Sequence, residues 1–149
     1  MKKERLQNLP SGHDGNGYIT INGEVKKSFR IGAIEATLEA IKENKRFLGE
    51  YMEQNAIRGE KGSGKMSYYH TTSEFLEIMR TFKETGEYPE ITIQYYAENK
   101  AYGRCEVTLM GVIFDSVGAG TLDDSSDESI RLETNFTFDD FDIVSRFKG

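Results

Sequence analysis

The spacing of apolar residues divides the chain into short β-like segments around a single helix. Residues 17–22 (Gly-Tyr-Ile-Thr-Ile-Asn) are β-branched and aromatic, and the Asn22-Gly23 pair supplies the two positive-φ positions of a tight hairpin turn. In residues 66–70, Met66, Tyr68 and His70 alternate against Ser67 and Tyr69 as in a strand. A helix is predicted over residues 71–85. Thr71-Thr72-Ser73-Glu74 has the capping-box pattern, and Phe75, Ile78, Met79 and Phe82 recur at i, i+3, i+4 and i+7. Gly86 closes that helix and Pro89 blocks its continuation. Residues 90–98 set Ile91, Ile93 and Tyr95 against Thr92, Gln94 and Tyr96, with a turn at 99–103. Residues 104–117 predict one strand with two apolar faces, Val107, Leu109 and Ile113 opposite Met110, Val112 and Phe114, so both faces should be covered. After a Gly, Ser and Asp loop at 118–127, Ile130, Leu132, Phe136 and Phe138 share one strand face, with Thr134 between them.

Three stretches are less regular. Residues 1–16 are polar, with Pro10, Gly12 and Gly15, and predict a flexible N-terminal arm. In residues 24–40, Phe29, Ile31 and Ala33 alternate as in a strand, whereas Ile34, Leu38 and Ile41 fall at helical spacing among good helix formers. Local pattern alone favours a helix after Ala33. Residues 42–65 hold Gly49, Gly59, Gly62 and Gly64 among many charges, and Phe47, Leu48, Tyr51, Met52 and Ile57 follow no steady period. This predicts an extended loop or arm, a feature that in a compact domain is disordered or functional. The total is five or six strands and one helix.

A length of 149 residues fits one domain, and 37% hydrophobic residues suffice for one core. No apolar run approaches the ~20 residues of a membrane span, and the start Met-Lys-Lys-Glu-Arg leads into no signal-peptide core, so a protein of the cytoplasm is expected. Cys105 is the sole cysteine, which rules out an internal disulfide and a thiolate zinc cluster. A formal charge of −6 opposes any function that grips phosphate backbones, since such binding rests on clustered Lys and Arg.

The candidate chemical motifs are each incomplete. Gly59-Glu-Lys-Gly-Ser-Gly-Lys-Met66 meets the phosphate-loop pattern until its last position, where Met66 replaces the Mg²⁺-ligating hydroxyl. A glycine-rich elbow is the simpler reading. Asp123, Asp124, Asp127 and Glu128 offer oxygens suited to calcium but lack the spacing and central glycine of an EF-hand loop, so they read as a solvated turn. The alternative function kept open is therefore a small acidic ligand- or calcium-binding β-domain. His13 and His70 stand alone, and Cys105 has no identifiable base, so no enzyme, cofactor or metal is expected. Phe136, Phe138, Phe141 and Phe147 alternate with acids, the wrong sign for stacking nucleic acid.

From residue 62 onward the chain resembles the tail-tube (tail core) proteins of the Bacillus PBSX phage-like element and their relatives in clostridial phages and contractile bacteriocins. The segments that carry the likeness are Gly-Ser-Gly-Lys-Met-Ser-Tyr-Tyr, Thr-Ser-Glu-Phe-Leu-Glu-Ile-Met, Val-Thr-Leu-Met-Gly-Val-Ile-Phe-Asp-Ser and the closing Phe-Thr-Phe-Asp-Asp-Phe-Asp. The resemblance implies a mainly β (α+β) fold of two packed antiparallel sheets forming a barrel-like body, with one flanking helix. It implies a long strand over residues 29–40 in place of the local helix, and an inter-subunit arm over 42–65 whose contact candidates are Phe47, Leu48, Tyr51, Met52 and Ile57. It further implies hexameric rings stacked into a hollow tube in a phage or bacteriocin tail. Sheath, tape-measure and baseplate proteins would be its partners, with no specific nucleic-acid binding although DNA may pass the lumen.

Overall fold

The computed structural model describes residues 15–26, 30–69, 73–99, 102–119 and 131–147. Its strands are β1 (Gly15–Ile21), β2 (Glu24–Lys26), β3 (Arg30–Lys45), β4 (Gln54–Tyr69), β5 (Ile91–Asn99), β6 (Gly103–Met110), β7 (Ile113–Phe114), β8 (Arg131–Phe138) and β9 (Asp140–Ser145), with helix α1 (Glu74–Thr85) between β4 and β5. Two antiparallel sheets result, one of order β2-β1-β5-β6-β9 and one of order β3-β4-β8-β7. Ile19, Ile91, Ile93 and Leu109 from the first face Met66, Tyr68, Phe136 and Phe138 from the second, and this shared apolar layer is the core. The strand face foreseen in residues 130–138 is present over its described part, with Leu132, Thr134, Phe136 and Phe138 all buried, while Ile130 lies outside the described residues.

The barrel-like closure expected above is not reached. Where β1 approaches β3 the two sheets meet through side chains, Ile31 lying against Gly17, and the cleft beside them is lined by Ile31, Tyr95, Val107 and Phe147, with no ladder across it among the described residues. Side-chain packing there substitutes for hydrogen bonding.

Asn22 and Gly23 adopt φ 51° and 83°, the double left-handed geometry of the expected turn. The turn is also tied to the start of β5, because Asn22 N–H donates to Glu90 O at 2.9 Å and Glu90 N–H donates to Asn22 Oδ1 at 3.0 Å. Helix α1 starts at Glu74 with Ser73 as N-cap and no side-chain capping bond. Gly86 ends it in the left-handed conformation, φ 75°, its N–H reaching Phe82 O at 2.8 Å. Phe75 anchors the helix edge-on to Tyr68 and Phe114, ring centroids 5.0 and 4.8 Å apart.

The single strand expected over residues 104–117 is two. Gly111, at φ 66°, bends the chain out of the first sheet after β6 and into the second as β7. The bend shifts the alternation by one residue, so Leu109 before it and Val112 and Phe114 after it all enter the same core. That is why the sequence carries apolar residues on both apparent faces. The closing strand divides likewise, β8 in one sheet and β9 in the other, with Asp139 between them and its N–H donating to Met110 O at 3.1 Å. The two crossings lie side by side and form one corner that joins the sheets.

The largest correction concerns residues 42–65, expected as an extended loop. β3 and β4 are 16-residue strands paired antiparallel from Arg30↔Tyr69 to Lys45↔Gln54, so within 42–65 only residues 46–53 lie outside strand. The long strand implied for residues 29–40 is present over its described part, and the local helix pattern is overridden by cross-strand pairing. Register shifts at Ile31/Ala33 and Ile41/Lys42 reset the period-2 alternation and hide it from the sequence.

Candidate assembly surface

β8 pairs with β4 only from Gly62↔Phe138 to Tyr69↔Arg131. Beyond Gly62 the β3–β4 hairpin therefore continues, among the described residues, as a two-stranded ribbon, an arrangement that is marginal in water without further packing. Four of the five sequence-derived contact candidates cluster at its end. Leu48 is fully exposed, Tyr51 93%, Met52 72% and Phe47 48% exposed, while Ile57, opposite Lys42 on the ribbon, is 67% exposed. Exposed apolar side chains grouped in this way are uncommon on the surfaces of monomeric proteins. The ribbon is held by its own register, by the Arg58 Nε–Glu43 Oε2 pair at 2.8 Å, and by Lys45, whose ammonium sits 5.2 Å from the centre of the Phe47 ring.

The glycines of the apparent phosphate loop have a different purpose. Residues 59–66 lie within β4, which offers neither a loop nor a helix N-terminus for phosphate. Gly62 and Gly64 stand opposite Phe138 and Phe136, whose rings lie across them, and a Cβ on Gly64 would come within 2.5 Å of the Phe136 ring and 2.6 Å of Glu35 O. The glycines make room for two core aromatics where the ribbon joins the sheet. The same contacts account for the aromatic run: Phe136 and Phe138 are buried, so they form no stacking platform.

The outer face of the first sheet holds a polar cluster that the sequence reading did not identify. Glu106 is 7% exposed and takes hydrogen bonds from Arg104 at 2.7 Å and Tyr18 Oη at 3.3 Å, while Arg104 lies 3.8 Å from the centre of the Tyr96 ring. The Arg104 hydrogen bond holds the Glu106 carboxyl below the usual glutamate range against the opposing effect of burial. The Tyr18 hydroxyl is pushed up, by burial first and by Glu106 second. The available signal was Arg-x-Glu at strand spacing, which places both side chains on one face.

His13, His70 and the acids Asp123, Asp124, Asp127 and Glu128 lie outside the described residues. Among the described residues no group of three or more His, Cys, Asp or Glu could hold a metal ion. Cys105 is half-buried on β6.

The family model described as phage tail tube protein matches residues 3–145. The chain belongs to the phage tail tube protein family. It is 33% identical over 147 residues to the uncharacterized protein YqbM of Bacillus subtilis strain 168, covering 97% of each chain. It is also 33% identical over 144 residues to the phage-like element PBSX protein XkdM of the same strain, covering 95% of each. The tail tube protein shares its fold with a chain of the anti-feeding prophage baseplate (TM-score 0.63, 14% identity, 97% of each chain). It shares it too with a chain of the PVC sheath-tube complex in its extended state (TM-score 0.65, 10% identity, 86% and 87% covered). Its function is structural: it is a subunit of a tail tube.

Proposed function

We propose that the tail tube protein polymerises as stacked hexameric rings and that the β3–β4 hairpin is the element that reaches the next copy. The observation that carries this reading is the uncovered ribbon ending in Phe47, Leu48, Tyr51 and Met52, which leaves apolar surface in water until a neighbour covers it. Strand edges support it as well. β3 and β9 are edge strands, and a neighbour that completes an edge removes the aggregation hazard it presents. A head-to-tail contact of this kind closes into rings or propagates along an axis. No cofactor or catalytic step is needed. Sheath, tape-measure and baseplate proteins would meet the tube, and the likeness to chains of a sheath-tube complex and of a sixfold-symmetrised baseplate supports that placement. Synthesis in the host cytoplasm precedes assembly into the tail.

The test is to replace residues 42–60 by a short Gly-Ser linker. β8 pairing begins at Gly62, so both sheets and α1 keep their partners, and circular dichroism should report a folded protein. Negative-stain microscopy should show no tubes. Normal tubes from this variant would refute the hairpin's role.

A further inference from the structure

We infer that the hairpin tip docks in a groove between α1 and the β1–β2 turn of a second copy of this chain, an inference that rests on the hairpin contact proposed above. The groove measures about 590 Å³, has an apolar floor of Ile21, Ile78, Tyr88 and Pro89, and carries Glu77 and Glu87 among its lining residues. Its volume falls in the range of roughly 300–1,000 Å³ typical of sites that enclose a ligand. Among the described residues Lys26 is the one cation lining it, and it is already engaged, 3.2 Å from Glu24 and 3.4 Å from Glu74. The groove therefore presents acid around an apolar floor.

The tip has the complementary pattern. Phe47 and Leu48 are preceded directly by Lys45 and Arg46. Residues 39–61 hold five cations (Lys42, Lys45, Arg46, Arg58, Lys61) and five acids (Glu39, Glu43, Glu50, Glu53, Glu60), so the net −6 of the chain resides entirely in the remainder. An acidic body repels its own copies, and the neutral hairpin is the part that can approach one with least cost. Placement also agrees. α1 is anchored by Phe75 on Tyr68, at one end of β4, whereas the tip joins β4 at Gln54. Fifteen strand steps at about 3.3 Å each separate the two ends by roughly 50 Å. Within one copy the tip points away from the groove, so mating between copies is head-to-tail and propagates into a polymer.

The cleft beside β3, lined by Ile31, Ala33, Tyr95 and Phe147, is the competing receptor at the same end, but none of its described lining residues is charged to meet Lys45 and Arg46. The experiment separates the two. One variant carries Lys45→Glu and Arg46→Glu, the other Glu77→Lys and Glu87→Lys, all at exposed positions. Each alone should raise the critical concentration for tube formation at least tenfold, and a 1:1 mixture should restore tubes, because each tip then finds a groove of opposite charge. Wild-type polymerisation by either variant alone, or no recovery in the mixture, overturns the assignment.

Disulfide trapping in a Cys105→Ser background supplies the second readout. Leu48→Cys with Ile78→Cys should cross-link between copies in assembled tubes, and Leu48→Cys with Ala33→Cys should not. Cross-linking through residue 33 in place of 78 would refute the groove while keeping the hairpin as the inter-subunit element. If neither pair links and the Gly-Ser variant still forms tubes, the hairpin reading itself falls.

Discussion

Gly64→Ala tests whether the glycines of β4 exist to admit the core phenylalanines. The added Cβ would lie 2.5 Å from the Phe136 ring and 2.6 Å from Glu35 O, against the 3.5–4.0 Å at which carbon contacts are comfortable, so each contact falls short by about 1 Å. Phe136 is 1% exposed within the packed core, and Glu35 O belongs to the β3 backbone, so full relief requires the strands to separate. Overpacking of a core costs about 1–3 kcal/mol, and a double clash that includes backbone belongs at the upper end. Replacing a strand glycine by alanine returns about 0.5–1 kcal/mol of unfolded-state entropy, which leaves a net loss of about 2 kcal/mol. In a domain of this length that lowers the melting temperature by about 4–8 °C. Thermal denaturation should be followed on unassembled protein at low concentration, because polymerisation would add its own stabilisation. Gly59→Ala is the control: it lies in the same strand, but its nearest neighbour is Ile41 Cδ1 at 3.8 Å, an ordinary contact, and stability should hold or rise slightly. Adding Phe136→Leu to Gly64→Ala should recover part of the loss and not all of it, since the ring contact is relieved and the Glu35 O contact remains. A Gly64→Ala protein that melts with wild type would show that the glycines are not there for the rings.

The corner between the sheets makes a second test: Gly111→Ala places a Cβ against the Asp139 carboxylate at φ 66°, and should cost at least the roughly 1–2 kcal/mol of a left-handed non-glycine residue, read by the same melt. The third is a pH dependence. Glu106 has a depressed folded-state pKa, so its contribution is complete above the ordinary glutamate value of about 4.3 and is lost as pH falls below that through the depressed value. Glu106→Gln should therefore lower the melting temperature at neutral pH and flatten its decline below about pH 4.3; a parallel decline in both proteins would remove Glu106 from the acid response.

The parts of the fold legible in the sequence are those whose causes are local. The Asn22-Gly23 turn needs two positive φ angles and two residues able to supply them, and the alternation from Leu132 to Phe138 needs only that one face be buried. The hairpin was misread because its order lies in pairing between strands. Its bulges at Gly32 and Arg58 each shift the phase of one strand, so Ile31 and Ile34, or Ile57 and Gly59, no longer report a single period. The meaning of Gly62 and Gly64 lies about 70 residues away, in Phe138 and Phe136, and a glycine-x-glycine reads as an elbow until its partner strand is known. The tip residues are the intermediate case. Phe47, Leu48, Tyr51 and Met52 follow no period, which points only to a loop or arm, and the family resemblance makes them contact candidates; the fold adds that β8 pairing stops at Gly62 and, among the described residues, leaves the ribbon that carries them without a third strand. On the proposal that the hairpin reaches a neighbour, apolar residues kept out of one core on a two-stranded ribbon are buried in another copy, and a stretch without a period over 46–53 is what a segment packing outside its own subunit leaves in the sequence.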